Sequence, residues 1–322
     1  MESSDKYVEA IAHPTIGIVL LGGLSDPINR IPLHGSAGIA YTIKNKESVS
    51  RTRISLSDKK HDYLFNGKTI EESSRSPIAF MQKYEEKLKK KYKVDYVNFE
   101  SENQNILSGS SDAGAAALGK CIQYLLPDED PVSLENYLRI ISESVGRSLY
   151  GGLTVTEVRN DATYTRQVLT AEEFGDFEII AFTFPHERKP SDDIHFNVKK
   201  LQEYSDRVKS ANSKLIELQK LAENKDIKGI FELAHKDTDE YHSIVERAGV
   251  KIITPEMRSL MVDVNNIRKN TWCSYIVTGG NNVFVVTRIE DSKSISDKLQ
   301  RKDVRITKLN VADSPRVTSS RV

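Results

Sequence analysis

Apolar runs at strand and helix periods alternate along the chain, and the first of them sets the pattern. Residues 15–21, Thr-Ile-Gly-Ile-Val-Leu-Leu, read as a buried strand that Gly22-Gly23 ends, where backbone can approach a neighbour closely. Strand patterns return at 38–43 and 50–56, followed by the turn Asn66-Gly67. Over 76–91, Ile78, Phe80, Met81, Tyr84 and Leu88 recur at helical spacing, and the basic tail of that segment is expected to be a solvated helix end rather than a nucleic-acid patch. A strand at 95–101 leads into a Ser/Gly/Asp-rich loop at 108–114 and a small-residue helix at 115–126.

The second half repeats the mixture. A helix is expected at 134–145, strands at 149–158 and 165–169, and a strand at 177–183 that opens a second lobe. Long amphipathic helices are expected at 191–222, 227–248 and 255–269, then strands at 272–278 and 282–287, the latter the last, with a frayed Ser/Thr/Arg-rich tail over 312–322. Strands and helices in both orders predict an α+β protein. Two lobes, 1–175 and 176–322, are the expected division.

Length and charge narrow the partners. A chain of 322 residues can bury a sizeable core, and its 46 basic and 46 acidic residues cancel, so no overall field draws it to nucleic acid or to an anionic membrane. A small-molecule partner fits better. Cys121 and Cys273 are too few for a disulfide framework and suit a reducing compartment. The apolar stretch at 15–24 is too short to span a bilayer, and Glu2, Asp5 and Glu9 stand where a signal peptide carries basic residues, so a cytoplasmic location is expected.

Three clusters carry candidate chemistry. Residues 105–119 offer hydroxyls and closely spaced backbone N–H groups where a helix begins, a place that attracts phosphate. Gly109 and Gly114 have Walker spacing, but Ala115 and Ala116 follow where Lys and Ser/Thr are required, so this is not a P-loop ATPase. Alone, the segment reads first as a tight turn capped by Ser108 or Ser111. Glu143-Ser-Val-Gly-Arg147 places a carboxylate and a guanidinium four residues apart, which alone is an ordinary helical ion pair. Thr278-Gly-Gly-Asn-Asn282 alone is a hairpin turn. Zinc chemistry is disfavoured, since no H-E-x-x-H occurs and His235 and His242 are expected on a solvated helix face; no G-x-S-x-G elbow is present either.

Taken together and in order, these segments resemble the GHMP kinases, most closely the mevalonate diphosphate decarboxylases. His13-Pro-Thr-Ile-Gly-Ile-Val-Leu-Leu-Gly-Gly23 is similar to that family's first strand, residues 101–119 to its phosphate loop, Arg147-Ser-Leu-Tyr-Gly-Gly152 to its substrate segment, and Thr278 to Asn282 to its late loop. The resemblance implies a two-lobed GHMP kinase fold, with a ribosomal protein S5 domain 2-like N-terminal lobe and a ferredoxin-like C-terminal lobe. It also implies ATP and Mg²⁺ as cofactors, mevalonate and ATP as partners, and a homodimer.

Two departures from the decarboxylase pattern point away from decarboxylation. Leu20 and Thr278 stand where that family has a Lys and an Asp, the Asp beside the carbon at which positive charge develops. Phosphoryl transfer tolerates the loss, because its loose transition state rests on positioning and charge neutralisation; losing a base costs about 10²–10⁴-fold. Glu143 falls in a stretch where decarboxylases use small residues around a 5-diphosphate, and a carboxylate there is expected to repel phosphate and accept a hydrogen bond from a free 5-hydroxyl. Both departures, together with Ser108 to Gly114 and Arg188 to Asp192, resemble the archaeal mevalonate 3-kinases. The resemblance thus implies Ser108, Gly109, Ser110, Ser111 and Arg188 at the ATP phosphates. It places Arg147 on the substrate carboxylate, Glu143 on its 5-hydroxyl, and Leu20 and Thr278 around C3. The metal ligands stay unassigned. The alternatives are a decarboxylase acting on a phosphorylated mevalonate, which CO₂ release would reveal, and a non-catalytic nucleotide-binding protein, which would bind ATP without turnover.

Overall fold

The computed structural model describes residues 6–71, 73, 75–186 and 191–322. Two sheets organise it. The first has six strands in the order β16 (Arg316–Arg321), β1 (Lys6–Ala12), β6 (Val49–Ser57), β9 (Tyr96–Gln104), β7 (Leu64–Phe65) and β8 (Lys68–Thr69). Against its apolar face pack α1 (Pro77–Tyr92) and α2 (Ser110–Leu125), through Phe80, Met81, Tyr84 and Leu88 of the former and the alanines 115–117 of the latter. Small side chains on α2 let it lie close to β1 and β6.

The second sheet runs β11 (Ala162–Leu169), β10 (Leu153–Arg159), β5 (Ser36–Ile43), β15 (Arg305–Val311), β12 (Phe177–Thr183), β14 (Asn282–Arg288) and β13 (Cys273–Val277), with β2 (Thr15–Val19) also paired to β5. The junction is the pairing of β15 with β5, where Leu309 meets Ile43 and Val311 meets Tyr41. The sheet is therefore continuous from the N-terminal half into the C-terminal half. Helices α6 (Tyr204–Glu223) and α7 (Ile227–Arg247) cover its middle, and α8 (Pro255–Ile267) and α9 (Ile289–Leu299) flank β12, β13 and β14. A small hairpin, β3 (Leu24–Asp26) with β4 (Ile31–Pro32), meets the end of α3 (Pro131–Leu138) and α5 (Ser191–Val198), while the short helix α4 (Gly146–Tyr150) packs against α2.

Several elements differ from their sequence-based expectation, each for a tertiary reason. The helix expected at 134–145 begins earlier, on the Asp130 cap and Pro131, and ends at Leu138. Residues beyond it leave the helix and turn Ser142 and Ser144 toward the carboxylate of Asp112. The strand expected from 149 starts at Leu153, because 146–150 are helical and Gly151 and Gly152 turn the chain with φ of 64° and 60°. A Cβ on Gly151 would lie 2.2 Å from the Asp313 carbonyl carbon, so only glycine fits. The helix expected over 191–222 is broken into α5 and α6, each buried against a different neighbour. The strand at 282–287 is followed by α9, β15 and β16, and the tail expected to fray is an edge strand on β1. His235 and His242 face inward, not to solvent: Arg268 Nη1 lies 3.1 Å from His235 Nδ1, and His242 Nε2 lies 2.9 Å from the Val277 carbonyl.

Candidate active site

Strand β2 brings Thr15, Gly17 and Leu20 to the mouth of a cleft, and α2 begins directly beside it. Gly109 caps α2 with φ of 71°, and a Cβ there would sit 2.4 Å from the Thr15 nitrogen. Neither Ser108 nor Ser111 caps the helix; the glycine lets the loop lie against the strand. The Tyr41 hydroxyl accepts from the Leu107 and Ser108 amides, at 2.9 Å each, and the Asn282 amide donates to the Leu107 carbonyl at 2.9 Å. The phosphate-loop segment is thus fastened to both sides of the second sheet.

A pocket of about 110 Å³ lies under this loop, lined by Leu20, Ser108, Gly109, Ser111, Glu143, Arg147 and Thr278 among others. These residues come from four separate stretches of chain, all singled out in the sequence, and converge there. Ser110 faces a larger adjoining cavity of about 740 Å³, and Ser111 and Ser191 border both spaces. Arg188 lies outside the described residues.

Arg147 is buried, and its Nε and Nη2 have no hydrogen-bond partner among the described residues. Burial pushes its pKa down, against the opposing pull of Asp112 and Glu143. The side chain threads between two glycines. A Cβ on Gly38 would fall 2.5 Å from Arg147 Cδ and 2.8 Å from the Ile16 carbonyl, and one on Gly17 would fall 3.3 Å from Arg147 Nη1. The glycines of β2 and β5 therefore make room for an arginine whose charge the protein itself leaves open. Such a group costs stability unless an anion completes it.

The ion pair that the four-residue spacing of Glu143 and Arg147 alone suggests does not form among the described residues. Glu143 Oε2 instead accepts from Arg30 Nε at 3.0 Å and Nη2 at 2.9 Å, with Arg75 Nη2 at 3.6 Å, while His195 Nε2 donates to Oε1 at 2.8 Å. Burial would raise its pKa, but the hydrogen bond and charge of His195 and the charges of Arg30 and Arg75 prevail and hold it far below the usual carboxylate range. The carboxylate expected at this position is thus surrounded by partners. The charge is fully ionised but sits inside its own cationic shell.

Asp112 anchors the floor. Its carboxylate accepts from Thr15 Oγ1 at 2.5 Å, Ser142 Oγ at 2.5 Å and Ser144 Oγ at 2.9 Å, and with the Ser142 hydrogen so engaged its Oγ, 3.2 Å from Ser111 Oγ, is placed to accept from that hydroxyl. Thr278 and Ser108 hydroxyls lie 3.2 Å apart, joining the late hairpin to the loop. Leu20 is clamped from the other lobe: its amide donates to Asp237 Oδ2 at 2.7 Å and its carbonyl accepts from Arg207 Nη2 at 2.7 Å. Sequence reasoning missed Arg30, Asp112, His195, Arg207 and Asp237. Asp112 alone carried a signal, a carboxylate inside an anion-binding segment.

The fold and this site define the class first. Residues 12–166 match the model of the diphosphomevalonate decarboxylase-like N-terminal domain, and the structure of mevalonate diphosphate decarboxylase from Staphylococcus aureus superposes with a TM-score of 0.81 over 99% of this chain and 100% of that one, at 20% identity. This is the two-domain α/β fold of the GHMP kinases and decarboxylases. Residues 189–293 match the mevalonate-3-kinase C-terminal domain. The mevalonate-3-kinase of Picrophilus torridus is 45% identical, covering 97% of this chain and 98% of its own length. The crystal structure of the Thermoplasma acidophilum mevalonate-3-kinase with mevalonate 3-phosphate and ADP bound has a TM-score of 0.92 at 38% identity, covering 99% of this chain and 100% of that one. The chain belongs to the mevalonate 3-kinase family.

Proposed function

We propose that the protein transfers the γ-phosphoryl group of ATP to the 3-hydroxyl of (R)-mevalonate, forming mevalonate 3-phosphate and ADP without decarboxylation, in an archaeal-type mevalonate pathway of isoprenoid biosynthesis. The observation that carries this reading is the buried, unpaired guanidinium of Arg147 in a pocket that also holds Leu20 and Thr278. Arg147 grips the substrate carboxylate as a fork. Glu143 Oε1 and Oε2 keep lone pairs beyond those used by Arg30 and His195, and accept the 5-hydroxyl. Leu20 and Thr278 border C3 and its methyl group and present no charge to it.

The nucleotide lies in the larger cavity, its phosphates at the N-terminus of α2 against Ser108, Gly109, Ser110 and Ser111, where the helix dipole and amides favour them. Arg188 is assigned to the same phosphates on the family likeness. The oxygen-only donors there, the hydroxyls of Ser110 and Ser111 and the carboxylate of Asp112, suit a hard cation, and Mg²⁺ bound with the phosphates would neutralise charge as the γ-group moves. Residues 1–175 and 176–322 form the two lobes around the cleft, and a cytoplasmic homodimer completes the proposal on the family likeness.

Because Thr278 stands where the decarboxylases place an acid beside C3, the phosphate stays where it is placed. The test is a phosphorus NMR spectrum of the product from mevalonate and Mg-ATP, run beside a CO₂ assay. A phosphate on the tertiary carbon, showing no coupling to the C5 methylene protons, with no CO₂, is the expected result. Coupling to those protons, or brisk CO₂ release, overturns the reading.

A further inference from the structure

Strand β2 ends at Val19, whose pairing with Ala37 is the last on its ladder with β5. From Leu20, which is 5% exposed, the chain continues without a strand partner, and its backbone polar groups must be met in another way. Side chains of α6 and α7 meet three of them. The Leu20 amide donates to Asp237 Oδ2 at 2.7 Å, the Leu20 carbonyl accepts from Arg207 Nη2 at 2.7 Å, and the Leu21 carbonyl accepts from the Tyr241 hydroxyl at 2.9 Å. Arg207 and Asp237 are buried and joined Nη1 to Oδ1 and Nη2 to Oδ2, so the two groups that hold Leu20 form one unit. Gly22 closes the segment against the same helices: a Cβ there would lie 2.7 Å from the Tyr204 hydroxyl oxygen and 3.1 Å from Tyr241 Cε2. Side chains from across the cleft, not a ladder, set where Leu20 stands.

The Leu20 side chain carries that placement into the pocket. A Cβ on Gly17 would fall 2.7 Å from Leu20 Cδ2 and 3.3 Å from Arg147 Nη1, so the leucine and the Arg147 guanidinium lie over the same bare glycine. A shift of Leu20 therefore alters at once the apolar wall of the pocket and the low-dielectric surroundings of the guanidinium. We propose that Arg207, Asp237 and Tyr241 are positioning residues for the transfer: acting through the backbone of Leu20 and Leu21, they fix the apolar wall that receives the C3 methyl group and so select a tertiary alcohol. This rests on the function proposed above, which puts C3 beside Leu20. The outer members of the same network, Lys214, Glu240 and Ser210, bond to Arg207, Asp237 or one another and to neither leucine among the described residues. They share in the stability of the brace without touching what it holds, and that separates the two roles.

The test is the ratio of kcat/KM for (R)-mevalonate to that for its 3-desmethyl analogue, (R)-3,5-dihydroxypentanoate, in the parent, Arg207→Lys, Asp237→Asn, Tyr241→Phe and Lys214→Met. The different reactivity of a secondary alcohol is common to all five proteins, so a change in the ratio reads the wall. A methyl group in an apolar pocket is worth about 10–200-fold, and the ratio should fall at least about fivefold in Arg207→Lys and Asp237→Asn. The first keeps a cation beside Asp237 but withdraws the donor from the Leu20 carbonyl; the second cannot accept from the Leu20 amide and from Arg207 as the carboxylate does. Tyr241→Phe, which loses only the bond to Leu21, should show a smaller fall, whereas Lys214→Met should lower Tm and keep the parent's ratio. A parent that does not phosphorylate mevalonate overturns the function reading and this inference with it. A parent that does, beside folded variants with an unchanged ratio, overturns this inference alone, as does an equal fall in Lys214→Met. Should the two charge variants not fold, Tyr241→Phe settles the matter by the same ratio.

Discussion

Two arginines are buried within reach of the same strand end, and their surroundings are opposite. Arg207 gives Nη1 to Asp237 Oδ1 at 2.5 Å and to Glu240, and Nη2 to Asp237 Oδ2 at 3.0 Å and to the Leu20 carbonyl at 2.7 Å. Asp237 more than offsets the effect of burial, so the Arg207 pKa is pushed up, whereas burial wins at Arg147 and pushes it down. Arg207 is a brace whose charge is spent inside the protein. Arg147 is left uncompensated, so its energetic deficit is available to a bound anion. Burial of a charge does not by itself mark a site; what separates the two is the account of their donors.

The largest effect expected of this contrast is at the brace. Asp237→Ala strands Arg207 and frees the Leu20 amide, and should cost about 3–5 kcal/mol in urea-induced unfolding. An unchanged midpoint would show that Arg207 is solvated after all. Next comes the reverse case, in which activity falls and stability does not. Arg147→Leu should lower kcat/KM for mevalonate at least about tenfold, the loss of a charge-assisted contact worth roughly 1.5–3 kcal/mol. Its Tm should be equal to or above the parent's, because an unpaired buried charge has been removed. Kinetics like the parent's would take Arg147 out of the site.

The same contrast explains what could be read from sequence. The glycine-bounded first strand, the segment from Ser108 to Gly114 and the positions of Leu20, Glu143, Arg147 and Thr278 were legible, because each is a local departure from ordinary composition or a piece of a recurring order. Arg207 and Asp237 were not, since on an amphipathic helix a charged residue is assigned to the wet face, and only the packed structure shows both buried at the seam between α6 and α7. Arg30 and His195 were hidden likewise, one in a hairpin and one in a stretch read as an amphipathic helix. The strand at Arg316–Arg321 has no apolar face to betray it, and it is defined by pairing with β1. The helix boundary near 138 moves because Ser142 and Ser144 turn into the wall of the cleft, and the strand boundary near 153 because the Gly151-Gly152 turn packs its backbone tightly against neighbouring chain.

A smaller effect tests whether the room left for Arg147 is specific. Gly38→Ala puts a methyl 2.5 Å from Arg147 Cδ and 2.8 Å from a backbone carbonyl, in a strand paired on both sides. Overpacking of this kind costs about 1–3 kcal/mol. The displaced guanidinium should raise KM for mevalonate more than it lowers kcat. Equal KM values with a lowered Tm would mean that the glycine serves packing alone.

The subtlest test uses His34, which feels both arginines. Burial first, then the charge of Arg207 and, more weakly, of Arg147, lower its pKa from 6.5 to about 4. It is held neutral, with Nδ1 donating to the Gly35 carbonyl at 2.7 Å and Nε2 placed 3.3 Å from the Tyr204 hydroxyl. In the unfolded chain the imidazole takes up its proton as pH falls through 6.5, whereas the folded chain resists until about 4. Between those values the unfolded state binds more protons, so stability must fall with falling pH, with a slope of at most about 1.4 kcal/mol per pH unit from this one group. His34→Gln should therefore flatten the acid limb of unfolding free energy between pH 6.5 and pH 4, leaving the contributions of other buried histidines in place. Arg147→Leu should leave the His34 contribution nearly intact, because burial and Arg207 are the larger causes. If removing Arg147 flattens the limb as much as removing the imidazole, the two guanidinia are not divided into brace and receptor, and the open charge at Arg147 is felt through the whole seam.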